Sequence, residues 1–139
     1  MASARVSTGI AGLDEILDGG IVEHSNALIR GPPGSGKTIF GLNFLGAGVA
    51  NDETVLYINL GEPAAYVKST ADAFGLDPDA IHFRDLAPSE EAFDESNSYS
   101  LFASADVEKP SFIRELREVI ETIEPSRVVL DPITAFRYL

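Results

Sequence analysis

The sequence predicts an α/β fold, a mainly parallel sheet covered on both faces by helices. Three observations carry that prediction. Four short apolar runs, at residues 27–30, 54–60, 81–86 and 127–131, alternate with stretches of helical period. A glycine-rich turn over residues 31–38 follows the first run and precedes a helix, which is the strand-loop-helix setting of a phosphate-binding loop. The chain has 139 residues, enough for one core and too few for two, so residues 1–139 read as one domain.

The first element is a short helix over residues 13–17, closed by Gly19 and Gly20. Glu23, His24, Ser25 and Asn26 form a polar turn into the strand at 27–30, which its apolar character marks as buried. The helix after the loop, running to Ala50, is apolar nearly all round, so it must be covered on more than one side. Gly41, Gly46 and Gly48 lie inside it, and each costs about 0.5–1 kcal/mol against Ala. Tertiary packing has to supply what propensity lacks.

Residues 54–60 make the second strand, broken at Gly61. The next helix has Pro63 in its first turn, Val67, Ala71 and Phe74 on one face, and Gly75 just past its end. Residues 81–86 give a third, shorter strand in which His82 is structural. From Ala87 to Pro110 the chain is polar and carries Ser89, Glu90, Glu91, Asp94 and Glu95; it reads as a long surface loop with a solvated carboxylate face. Ser111 can cap a helix whose apolar stripe is Phe112 or Ile113, Leu116, Val119 or Ile120, and Ile123. Pro125 stops it, and Arg127-Val128-Val129-Leu130-Asp131 follows as a buried strand ending in a carboxylate.

Composition narrows the classes of function. Ten basic residues stand against 22 acidic ones, a formal net charge of −12, with Lys37, Lys68 and Lys109 the lysines. Such a surface repels phosphate backbones, which argues against nucleic acid as partner. It also suits a salt-rich, halophilic cytoplasm, where screening removes self-repulsion. There is no cysteine, no apolar leader after Met1 and no run long enough to span a membrane, so the chain reads as soluble and cytoplasmic.

Gly31, Pro32, Pro33, Gly34, Ser35, Gly36, Lys37 and Thr38 fit G-x-x-x-x-G-K-[ST]. The glycines let backbone N–H groups turn inward, and the helix N-terminus adds its positive dipole. Lys37 can reach the β- and γ-phosphates, and the Thr38 hydroxyl can join the shell of a Mg²⁺ ion. Ligands of open α/β sheets lie beyond the carboxyl ends of the strands. Asp131 ends one such strand and can hold the same metal, while Glu62, at the end of another, is the candidate for orienting an attacking water.

Together these residues resemble the KaiC-like branch of the RecA superfamily of ATPases, over essentially the whole chain. Thr8-Gly9-Ile10-Ala11-Gly12-Leu13-Asp14-Glu15-Ile16-Leu17-Asp18-Gly19-Gly20-Ile21 looks like that branch's leader, and residues 127–136 are similar to its magnesium-binding strand. The resemblance implies a three-layer RecA-like P-loop core, here incomplete at the C-terminus, with ATP and Mg²⁺ as cofactors. It further implies a homo-oligomer, a hexamer or filament with ATP between subunits, and a signalling or regulatory role with a protein partner. Three departures stand out. Gly61 takes the place of the first of two glutamates, the one credited with activating water. Pro132 takes the place of a common Ser, and the family core continues beyond its magnesium strand. Two readings follow. One is a slow ATPase, turning ATP and water into ADP and phosphate, with Lys37 and Glu62 as catalytic residues. The other is a module that binds nucleotide or a partner without catalysis. The acidic charge weighs against a third, a DNA recombinase.

Overall fold

The computed structural model describes residues 4–86 and 104–138. In chain order the elements are β1 (Arg5–Val6), α1 (Ala11–Ile16), β2 (Ile21–Val22), α2 (Lys37–Val49), β3 (Val55–Asn59), α3 (Ala64–Ala73), β4 (His82–Asp85), α4 (Ser104–Ile123) and β5 (Arg127–Asp131). Short 3₁₀ turns cover Pro78–Ala80 and Ile133–Tyr138. The main sheet has the order β4-β3-β5 and is parallel throughout, with Tyr57 opposite Phe83 on one side and Val129 on the other.

β3 is buried along its whole length, which is why its sequence reads as an unbroken apolar run rather than an alternation. Its residues nevertheless divide by face. Val55 and Tyr57 join Leu42 and Leu45 of α2 and Val67 and Ala71 of α3 in one core. Leu56, Ile58 and Leu60 join Phe112 and Leu116 of α4 in the other. Helices therefore cover both faces, as the sequence predicts, and each fully buried Leu, Val or Ile contributes about 1.5–3 kcal/mol.

The glycines inside α2 have a packing reason. A Cβ on Gly41 would lie 2.9 Å from Val129 Cγ1, and one on Gly48 would lie 2.7 Å from Val55 and 2.8 Å from Arg127. Without side chains at these points the helix backbone sits directly on β3 and β5. The same economy joins the leader to α2: Gly9, at φ +78°, passes so close that a Cβ would meet Asn43 O at 2.3 Å. Asp14 of α1 holds this leader turn by accepting from Ser7 Oγ at 2.5 Å, Thr8 N at 2.7 Å and Thr8 Oγ1 at 2.6 Å.

Several expectations are corrected. Residues 27–30 are not a buried strand: they enter no ladder among the described residues, and Leu28 is 65% exposed. A strand needs a neighbour, and a cleft of about 1190 Å³ separates this segment from β5. β5 itself, read as buried, has only one paired edge among the described residues, and Val128 is 36% exposed. Phe74 lies off the buried face of α3, where Val67 and Ala71 point inward. Helix α4 starts at Ser104 and continues through Pro110, so Ser111 is an interior position rather than a cap. Of the alternatives on α4, Phe112 and Val119 pack inward while Ile113 and Ile120 are exposed. His82, expected to serve in packing or a surface contact, is exposed on β4, which needs no correction. Of the loop predicted from Ala87 to Pro110, residues 104–110 are instead helical, and 87–103, with the carboxylates Glu90, Glu91, Asp94 and Glu95, lie outside the described residues.

Candidate functional site

The carboxyl ends of β3 and β5 and the N-terminus of α2 meet at one end of the sheet. Gly36 caps α2 at φ +93°, a conformation that a side chain would strain, and the cap leads the loop straight into the helix. The loop closes on itself through Lys37, whose Nζ donates to Gly31 O at 2.9 Å and to Pro32 O at 2.8 Å. Residues 31–36 are exposed. A Cβ at Gly31 would meet Ser35 Oγ, a hydroxyl that rotation can move aside.

The odd-numbered residues of β5 all face α2. Arg127 sits over the Phe44 ring, Val129 lies beneath Gly41, and Asp131 reaches the first turn of the helix. There Thr38 Oγ1 donates to Asp131 Oδ2 at 2.6 Å, joining two residues 93 positions apart in the chain. Tyr57 Oη donates to the same oxygen at 2.5 Å. Burial, and then the Asp131 carboxylate, push the Tyr57 phenol far above its ordinary value, so it stays protonated and a donor.

Beyond β3 the chain turns at a corner fixed by Asn59, which is buried. Asn59 Nδ2 donates to Asp85 Oδ1 at 2.8 Å, and Asn59 Oδ1 accepts from Gly61 N at 3.3 Å. Asp85 Oδ2 accepts from Ala64 N at 3.3 Å. Glu62 stands on this corner, exposed, and its charge is felt at the Tyr57 hydroxyl. Gly61 faces Pro132: a Cβ on Gly61 would lie 3.0 Å from Pro132 Cδ and 3.3 Å from Cγ. The two positions at which the resemblance implies a departure, Gly61 and Pro132, thus face each other.

Thr38, Asp131 and Lys37 thus lie at one end of the sheet, as the sequence places them, with Glu62 on the adjoining corner. Sequence reasoning missed Tyr57 and Asn59. The signal was there, because a phenol and an amide inside a run as apolar as β3 must find buried partners.

The sequence of the chain is matched by a family model, that of the KaiC ATPase, over residues 6–139. The chain belongs to the KaiC ATPase family. Among relatives, a UPF0273 protein of Methanopyrus kandleri is 33% identical over 96% of this chain and 55% of its own length. A UPF0273 protein of Pyrococcus horikoshii is 37% identical over 94% of this chain and 55% of its own. The circadian clock oscillator protein KaiC of Parasynechococcus marenigrum is 28% identical over 97% of this chain and 26% of its own. The chain spans about half the length of the UPF0273 relatives. Membership of the KaiC family and the parallel α/β sheet together support a RecA-like P-loop domain of ATPase type. No helix among the described residues is long and apolar enough to cross a membrane.

Proposed function

We propose that residues 31–38 and Asp131 form a Mg²⁺-dependent ATP site with slow hydrolysis. The observation that carries this reading is the 2.6 Å bond from Thr38 Oγ1 to Asp131 Oδ2. A hydroxyl in the first turn of a helix, tied to a strand-end carboxylate, makes an oxygen donor set suited to a hard cation. Thr38 and Asp131 would hold the ion, which supplies charge neutralisation at the phosphates. The loop N–H groups and the α2 dipole receive phosphate oxygens, and Lys37 exchanges its contacts to Gly31 and Pro32 for contacts to phosphate. Glu62 orients the attacking water and accepts its proton.

The reading is tested by phosphate release from ATP with and without Mg²⁺. Glu62→Gln is expected to slow release by about 100-fold, the ordinary yield of a positioned general base. Indistinguishable rates for wild type and Glu62→Gln would remove Glu62 from this role.

The contact between Gly61 and Pro132 favours a second reading, nucleotide binding without turnover. A side chain at position 61 would crowd the proline ring, its Cβ 3.0 Å from Pro132 Cδ. ATP and Mg²⁺ binding heat without any phosphate release would select this reading over the first. The contact also has a stability signature: Gly61→Glu is expected to cost about 1 kcal/mol, and Pro132→Ser in the same chain to return most of it. A double-mutant cycle on thermal melts measures that coupling, and additivity would show the two positions to be independent.

The proposal extends to self-association, a hexamer by likeness to the family, and to a regulatory role with a protein partner, in keeping with a relative named as a clock oscillator. The net charge of −12 supports this over DNA recombination.

A further inference from the structure

Tyr57 is fully buried in the middle of β3, and its ring packs on Phe83 with centroids 5.6 Å apart. A phenol in such a place needs an acceptor. The acceptor is Asp131 Oδ2, at 2.5 Å, the oxygen that also accepts from Thr38. The β3 to β5 register makes this reach natural, since Tyr57 lies opposite Val129 and Asn59 opposite Asp131. Oδ2 thus accepts from two hydroxyl donors, while Oδ1 accepts no hydrogen bond among the described residues.

We propose that Tyr57 is a positioning residue for Asp131, fixing the rotation of its carboxylate so that Oδ1 is presented to the divalent cation that accompanies ATP. The proposal rests on the Mg²⁺-dependent ATP site described above. Thr38 cannot do this alone, because its hydroxyl is itself a candidate ligand of the ion. Tyr57 acts from the buried central strand, beside Thr38, and is not itself a proposed ligand of the ion. Groups that orient a metal's ligands in this way typically govern affinity by 10- to 100-fold.

The test is ATP binding by calorimetry across a MgCl₂ titration, with an EDTA arm that measures binding of ATP alone. Tyr57→Phe keeps the ring and its packing and removes one oxygen. The Mg²⁺ concentration at half effect is expected to rise about tenfold, with affinity in EDTA unchanged. Equal Mg²⁺ dependence in wild type and Tyr57→Phe overturns the proposal, as does an equal loss in both arms, which marks the phenol as a packing group. The same substitution in an Asp131→Asn background is expected to leave the Mg²⁺ dependence unmoved; a further tenfold shift there would show that Tyr57 acts elsewhere. If wild type itself binds ATP without any response to Mg²⁺, the failure belongs to the proposed site and not to Tyr57 alone.

Discussion

Replacing Arg127 with alanine is expected to cost about 3–5 kcal/mol, the range for breaking a buried ion pair from one side. Arg127 is 3% exposed and stands where four parts of the chain meet. Nε and Nη2 form a fork on Glu53 at 2.6 and 2.9 Å, and Nη1 donates to Ser7 O at 2.6 Å and Phe44 O at 3.0 Å. The guanidinium carbon also sits 4.9 Å from the centre of the Phe44 ring. One side chain therefore ties the leader, α2 and the turn before β3 to the first residue of β5. Against a total of about 5–15 kcal/mol for a domain, its loss is expected to lower the melting temperature by on the order of 10 °C. Arg127→Met keeps an apolar stem packed against Phe44 and is expected to cost less than Arg127→Ala.

The same pair gives the stability an acid limit. The Arg127 fork holds Glu53 below its ordinary value, and hydroxyls from Ser7 and Thr8 do the same for Asp14. The unfolded chain binds these protons more readily, so the stabilisation is complete above the ordinary carboxylate range and is lost as pH falls through the lowered folded-state values. Melts recorded from neutral to acid pH should show a shallower decline in Arg127→Met, with the Asp14 share remaining.

Lys37→Ala is the second large expected effect, and it falls on binding rather than folding. Nζ serves two loop carbonyls that water can satisfy equally well. The melting temperature is therefore expected to move by no more than about 2 °C. ATP affinity is expected to fall by about 100-fold, the loss of one or two hydrogen bonds from a charged donor. Parallel melts and titrations check this: a large drop in melting temperature with affinity retained would make Lys37 a structural residue of the loop.

What the sequence made legible was local. The loop, α2, β3 and β5 announce themselves by glycine spacing, apolar runs and the break at Gly61, all within a few residues. What it hid depends on neighbours far along the chain. The apolar character of Ala27, Leu28 and Ile29 predicts a strand, yet a ladder is a property of two segments, and 27–30 face a cleft. The two-residue strands β1 and β2 are too short to carry a period. Pro110 marked a boundary by rule, whereas the helix continues through it. At the site, Thr38, Lys37 and Asp131 followed from motif, but the hydroxyl of Tyr57 gains its meaning only from a register with β5, 74 residues away.

The missing side chains of α2 bear on motion as well as packing. Gly41 rests on Val129 and Gly48 on Val55 and Arg127, so helix and strand touch at two points along their length, with Thr38 bonded to Asp131 at the far end. A lever pinned three times cannot swing at one end. Helix α2 and the Asp131 carboxylate therefore travel as one rigid piece, and the amides of α2 and β5 should open to hydrogen exchange together, at a common free energy. Adjustment to an incoming phosphate then falls to the part hinged outside that lever, the exposed turn from Gly31 to Gly36.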